Sequence, residues 1–208
     1  MTMTMATWTG RDRDPAVVSA DVARVTAAEL GLAAPPPALV LPGDSDGVPA
    51  GSLLPPRERF SGMPAPTHCF VYVDARAPRP FEMRASVLSG RYVRRQFGLG
   101  PLLYAVPLSV PVADRVALGD SGFQGDPVAA ERLDADRELR ALAGRVAVTR
   151  AGPDTAHQWS TERLLRVEPR PEGALLIART LHRPGVGGWS VGAQDVLGLA
   201  ARIEGALL

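Results

Sequence analysis

Two runs of alternating apolar and polar residues constrain the fold more than any other feature. FVYVDAR begins at Phe70 and FEMRASVL begins at Phe81, where Phe81 and Met83 alternate with Glu82 and Arg84. A period of two residues is typical of a β-strand with one buried and one solvent-exposed face. The short connector APRP therefore predicts an antiparallel hairpin that places Glu82 and Arg84 on its exposed face.

The middle of the chain has a helical pattern. Asp126 and Pro127 supply an N-cap residue and a proline at the first helical position. Asp134 or Asp136 could cap a second helical turn, so two short helices are an alternative to one. We expect Gly144 to end the region, and the following run RVAVTRA to form a strand.

The C-terminus has the clearest helical periodicity. Apolar residues recur there at intervals of three and four along one helix face: Val196, Leu199, Ala200, Ile203 and Leu207. Ser190 is the expected N-cap residue.

The remaining patterns complete an α+β fold. Further strands are predicted at 38–41 and in the runs LLYAVPLSV, ADRVAL, TERLLRV and ALLIART, with prolines suggesting sheet edges. We expect a mainly antiparallel sheet packed against a long C-terminal helix and a middle helix. Residues 67–208 form this α+β domain, and residues 1–66 hold a tail, an N-terminal helix and a Pro/Gly-rich arm. A helix-grip arrangement, with the last helix across a curved sheet around a cavity, is one version of this fold.

Composition excludes several kinds of chemistry. The chain has no lysine, which removes the P-loop, the lysine Schiff base and the kinase active site. Its single cysteine rules out an intrachain disulfide and a zinc site made of several cysteines. We expect no metal and no cofactor. The net charge of +1 also argues against nucleic-acid binding.

The sequence has no signal peptide and no apolar run of about 18 residues. We therefore expect a cytoplasmic protein without membrane insertion.

A four-residue stretch, Gly119 to Gly122, spells the GDSG sequence found around the nucleophile of trypsin-like proteases. His68 and Asp114 would have to complete the triad with Ser121. Only six residues separate Asp114 from Ser121, which is too few for the intervening strands of that fold. A tight turn is the preferred interpretation.

Candidate catalytic residues are few. Three polar residues of the first hairpin form the candidate catalytic set: His68, Tyr72 and Asp74. Four arginines on the hairpin and just after it are the candidates for contact with an anionic ligand or a partner: Arg84, Arg91, Arg94 and Arg95.

From Pro80 to Leu208 the chain resembles the soluble domain of uncharacterised, often membrane-anchored actinobacterial proteins. The resemblance depends on a hairpin, the strand AVPLSVPV, the stretch GDSGFQGDPVAAERLDADRELRALAG and the final helix DVLGLAARIEGALL. It implies that Phe123 is a buried anchor and Asp126 a helix cap, and it implies no catalytic residues. This chain departs from the pattern because it has a proline-rich arm in place of an N-terminal transmembrane segment.

Two functions remain open. The first is a non-catalytic binding or interaction domain, an accessory or scaffold protein whose arm docks on a partner protein or on a second copy. The alternative is a small-molecule enzyme or ligand-binding protein with a helix-grip-type cavity, which would use an acidic residue, tyrosine or histidine with an arginine to hold an anionic group. The residues of the first hairpin to examine for this role are His68, Tyr72, Asp74 and Arg84.

Overall fold

The computed structural model describes residues 28, 39–42, 51–54, 68–74, 79–88, 98–147, 165–180 and 192–208. The strands are β1 Leu39–Pro42, β2 His68–Asp74, β3 Phe81–Leu88, β4 Gly98–Leu108, β5 Val116–Leu118, β6 Phe123–Gly125, β7 Leu165–Arg170 and β8 Gly173–Thr180. Three helices have described bounds: α1 Pro127–Ala135, α2 Arg137–Val146 and α3 Ala193–Leu207. The α+β prediction, with an antiparallel sheet and both a middle and a C-terminal helical region, is confirmed.

The eight strands form one sheet in the order β1-β2-β3-β4-β8-β7-β5-β6, and every pairing is antiparallel. The predicted β2–β3 hairpin is present, and β7 and β8, from the predicted strand runs TERLLRV and ALLIART, form a second antiparallel pair. β1 comes from the Pro/Gly-rich arm and pairs with β2. The predicted boundary after residue 66 stays a prediction, although this strand from its N-terminal side belongs to the sheet.

Three prolines of the described residues lie in strands that are not edges of the sheet: Pro101, Pro107 and Pro169. Pro107 belongs to β4, between β3 and β8, so the edge interpretation of that strand is wrong. Pro107 pairs with Leu175 of β8, but the pairing of β3 with β4 reaches only as far as Ala105. The missing N–H of a proline is tolerated there because one neighbouring strand has already ended.

The two faces of the sheet are packed differently. The helix-side face, which includes Phe81 and Met83, lies against the helices in the larger apolar core. Large side chains from both the sheet and the helices are fully buried in this core: Phe81, Met83, Leu133, Leu139, Leu165, Leu176, Leu199 and Ile203. The opposite face, called the arm-side face, carries the alternate residues of β3, β4 and β8.

The middle region forms two helices because Asp136 separates them. Its backbone is extended, and its side chain accepts the N–H groups of Glu138 and Leu139, so Asp136 is the N-cap of α2. This is the predicted alternative of two short helices. The prediction that Gly144 ends the region is wrong. α2 continues to Val146, which is buried, and Arg145 and Val146 are helical rather than part of a strand. Burying Val146 outweighs the cost of about 1 kcal/mol of a helical glycine.

The C-terminal helix α3 buries the predicted apolar stripe, with Val196, Leu199, Ala200 and Ile203 all inaccessible. Its N-cap is Gly192 rather than Ser190, which lies outside the described residues. The Asp195 carboxylate accepts the Gly192 N–H at 3.0 Å and closes the first turn. No helix in the described ranges is long and apolar enough to cross a membrane.

Candidate functional site

The GDSG stretch forms a turn between β5 and β6. The Gly119 N–H donates to the Gly122 carbonyl at 2.8 Å, and Gly122 has a φ of 139°, a conformation that favours glycine. Ser121 is exposed and accepts a hydrogen bond from Gln124 Nε2. β5 lies five places from β2 in the sheet, so His68 is roughly 24 Å from this turn. The protease triad is therefore excluded by topology.

The turn instead anchors the chain. Phe123 is buried in the core, as the sequence predicts, and its N–H donates to the Asp134 carboxylate of α1. Asp126 then caps α1 and also accepts the backbone N–H groups of Ala113 and Asp114. The hydrogen bond from the Ala129 N–H, with those from the other backbone groups, holds the pKa of Asp126 below its usual value.

The hairpin separates the predicted catalytic residues from Arg84. His68, Tyr72 and Asp74 pair in register with Val87, Met83 and Phe81, which puts these β2 positions on the helix-side face. Arg84 occupies the arm-side face. The position of Arg84 is therefore on the opposite face of the sheet from the positions of Tyr72 and Asp74, and the candidate site residues stay predictions.

Arg91, Arg94 and Arg95 lie outside the described residues.

A buried ion pair lies at the centre of the arm-side face. Glu82 has no exposed surface, and Arg84 is 4% exposed. Arg84 Nε donates to Glu82 Oε1 at 2.6 Å. The prediction that these two residues face solvent is wrong, because a piece of the arm covers them.

That piece is the docked segment, residues 51–54, and its main chain is bound by the ion pair. Glu82 Oε2 accepts the N–H groups of Leu53 and Leu54, at 2.5 and 3.3 Å. Arg84 Nη2 donates to the Leu54 carbonyl at 2.9 Å. The Ser52 hydroxyl lies between the charges, donating to Glu82 at 2.8 Å and accepting from Arg84 at 3.1 Å. Hydrogen bonds with one charged partner are roughly twice as strong as neutral ones.

Apolar contacts complete the docking. Leu54 is 3% exposed and belongs to a small cluster on the arm-side face, separate from the main core. Its partners come from the two central strands: Leu103, Ala105, Leu175 and Ile177. Leu53 packs against the same cluster and is partly buried. The face thus combines an apolar surface for two leucine side chains with a charged pair for the backbone between them.

This arrangement is suited to binding a polypeptide. A carboxylate accepts successive N–H groups and a guanidinium donates to a carbonyl, so the pair matches features that every peptide has. The apolar cluster and the serine contact add a preference for particular side chains.

Sequence reasoning missed Glu82 and Ser52 as site residues. Two signals were present in the sequence. Opposite charges two residues apart in a strand share a face, so Glu82 and Arg84 could pair. The adjacent Leu53 and Leu54 interrupt a stretch otherwise dominated by proline, glycine and polar residues, which indicates an apolar contact.

A second polar cluster joins the helices at the surface. Arg202 of α3 forms ion pairs with Asp136 and Glu138, each at 2.7 Å. The hydrogen bond from Arg202, followed by that from the Leu139 N–H, lowers the pKa of Asp136 to about 2. The adjoining groove, about 440 Å³ in volume, is open and shallow, and Arg132 at its edge donates to the Leu207 carbonyl. These contacts join elements of the fold and create no enclosed site.

Glu204 connects α3 to two loops. It accepts the N–H of Ser109 at 2.6 Å and the Ser109 hydroxyl at 2.9 Å, and it pairs with Arg79. Burial raises the pKa of Glu204, but the hydrogen bonds from Ser109 and Arg79 outweigh this effect, and the pKa lies below its ordinary value.

Comparison with known proteins returned no matching family, no matching curated protein and no matching solved structure. The resemblance to actinobacterial soluble domains accordingly stays a prediction.

Proposed function

We propose that the protein is a non-catalytic interaction domain that binds a short polypeptide segment of a partner chain on its arm-side face. The observation that carries the proposal is the buried pair of Glu82 and Arg84. Its hydrogen-bonding groups are directed at the main chain of Leu53 and Leu54 and at the Ser52 hydroxyl rather than at a reactive centre.

The chemistry of the ion pair favours a role in recognising a peptide main chain over a role in stabilising the fold. Replacing a buried ion pair by apolar residues of similar volume is often neutral or stabilising. Apolar residues at positions 82 and 84 would cover Leu54 equally well, but they would leave the N–H groups of Leu53 and Leu54 without acceptors. The charged pair supplies the acceptors and the donor that a peptide main chain needs when it is buried on a surface.

The magnitudes favour exchange of the docked segment. Fully burying a leucine contributes about 1.5–3 kcal/mol, and the described segment 51–54 has two leucines, of which Leu53 is partly buried. Fixing the backbone of each residue costs about 1–2 kcal/mol, and four residues are ordered. Because the gain from apolar burial and the cost of ordering the backbone nearly balance, the hydrogen bonds to Glu82 and Arg84 decide whether the segment stays docked. A partner segment that forms the same hydrogen bonds can therefore compete with it.

A peptide of the arm's own sequence tests the proposal. A fluorescent peptide of residues 49–56, PAGSLLPP, is titrated into the full-length chain and into its Leu54→Ala variant, and anisotropy is measured. We expect binding at least about tenfold tighter to the variant, because its own segment has lost the buried leucine and competes less.

Two controls define the site. Adding Glu82→Gln to the Leu54→Ala chain should abolish peptide binding, and a scrambled peptide should not bind. An absence of binding to the folded Leu54→Ala chain would contradict the proposed function.

A further inference from the structure

We propose that the partner is a second copy of the chain, and that residues 39–54 of the arm exchange between two copies. This inference rests on the proposed function, because it names the occupant of the same arm-side face.

The contacts identify the occupant. The Ser52 hydroxyl, the N–H groups of Leu53 and Leu54, and the Leu54 carbonyl all have partners on Glu82 or Arg84. The Leu54 side chain fills the apolar cluster. A second copy supplies the same groups in the same order, so no new complementarity has to be assumed.

A second attachment belongs to the same stretch of chain. β1 pairs with β2 through four residues, from Leu39 opposite Val71 to Pro42 opposite His68. The β1–β2 contact lies at one edge of the described sheet, and the docked segment lies on the arm-side face of the same sheet. Both attachments precede residue 55 and both contact the part of the chain after residue 67. Both attachments can therefore pass to another copy together, and both contacts are formed again there.

The connector is long enough for exchange. Thirteen residues, 55–67, join the docked segment to β2. An extended chain of this length spans up to about 45 Å, comparable with the width of the sheet, so it can reach a neighbouring copy. Reciprocal exchange makes the contact isologous, and no arm or face is left over in a dimer.

Competition from the chain's own arm sets the concentration dependence. A segment tethered to its own site through a short connector faces that site at an effective concentration on the order of mM. The unmodified chain therefore exchanges arms appreciably only at comparable protein concentrations. Impairing docking within one chain should favour docking between chains.

Complementation between two full-length variants tests the exchange. The arm variant is Ser52→Ala with Leu54→Ala, which keeps a normal face. The face variant is Glu82→Gln, which keeps a normal arm, and Arg84→Gln serves in its place if Glu82→Gln fails to fold. The two are labelled with different fluorophores, and their association is followed by energy transfer and light scattering. Circular dichroism confirms that each is folded.

We expect the mixture of arm and face variants to associate at least about tenfold more tightly than either variant alone, because only the mixture pairs a normal arm with a normal face. Mixing differently labelled samples of the same variant is the control. Equal association in every mixture would point to another interface and overturn the exchange.

A complementary mixture that stays monomeric, while the arm peptide still binds the Leu54→Ala chain, would overturn the exchange but leave the proposed function in place. Failure of both experiments would reject both proposals.

Discussion

The two faces of one sheet are stabilised in different ways. The helix-side face is covered by α1, α2 and α3 through a continuous apolar core. The arm-side face is covered, in the described residues, by a four-residue segment held on a buried ion pair and a small apolar cluster. Apolar burial is non-directional and grows with area, whereas the ion pair depends on particular backbone groups being present.

The difference indicates which contacts are permanent. Removing a helix would expose many apolar side chains at once, so the helix-side face belongs to the cooperative core. Removing the docked segment exposes little apolar surface and lets water solvate Glu82 and Arg84. Local opening with a low free energy is expected for such a segment.

The largest expected effect is on the helix-side face. Ile203→Ala removes a fully buried side chain of α3 and should lower the free energy of unfolding by about 4 kcal/mol through lost burial and a cavity. Denaturant unfolding measures this loss. Leu208→Ala is the control, since Leu208 is 90% exposed and its truncation should change little. A loss below about 1 kcal/mol for Ile203→Ala would remove the distinction between the faces.

Glu82→Gln should have a smaller and more local effect. It weakens hydrogen bonds to a charged acceptor, and we expect a loss of about 2 kcal/mol, limited by release of the docked segment. Hydrogen exchange should accelerate at Leu53 and Leu54 and stay unchanged in β8. Glu168→Gln is the matched control on the same face, because its pair with Arg166 is more exposed and should be worth less than about 1 kcal/mol. Faster exchange throughout β8 would show that the arm belongs to the cooperative core.

Acid should weaken the attachment of α3 to the N-terminus of α2, which is a smaller effect than those of the two substitutions. The pKa of Asp136 falls from 3.8 to about 2 on folding, so its contribution to stability is complete above pH 3.8 and is lost as the pH falls toward about 2. Unfolding measured from pH 6 to pH 2 should show this decline, and Asp136→Asn should reduce its slope between pH 4 and pH 2. An identical slope in the variant would exclude Asp136 as its source.

The smallest effect is expected at Ser121. Its side chain is exposed and makes one side-chain hydrogen bond, so Ser121→Ala should change the free energy of unfolding by less than about 0.5 kcal/mol. The neighbouring Phe123→Ala is the comparison, with an expected loss of about 3 kcal/mol because Phe123 is buried. Thermal melts of both variants measure the contrast. A stable chain with Leu54→Ala and Ser121→Ala that no longer binds the arm peptide would assign this turn to the function.

Local features of the fold could be predicted from the sequence. Strand alternation predicted the β2–β3 hairpin, and Asp126 with Pro127 predicted the start of α1, because both depend on neighbours in the chain. The prediction that the helical region ends at Gly144 was wrong because burial of Val146, a tertiary effect, outweighed the low helix preference of glycine. The exposure of Glu82 and Arg84 was mispredicted for a similar reason.

The sequence by itself determined which residues of β3 share a face, since alternation is a property of extended backbone. Only the tertiary structure decided what that face contacts. Ser52 and Glu82 are thirty residues apart, and nothing local brings them together. Their contact depends on the apolar cluster from β4 and β8, which exists only once the sheet is assembled. The same pair, Glu82 and Arg84, would be a solvated surface in a lone hairpin and is buried against the docked segment in the folded protein.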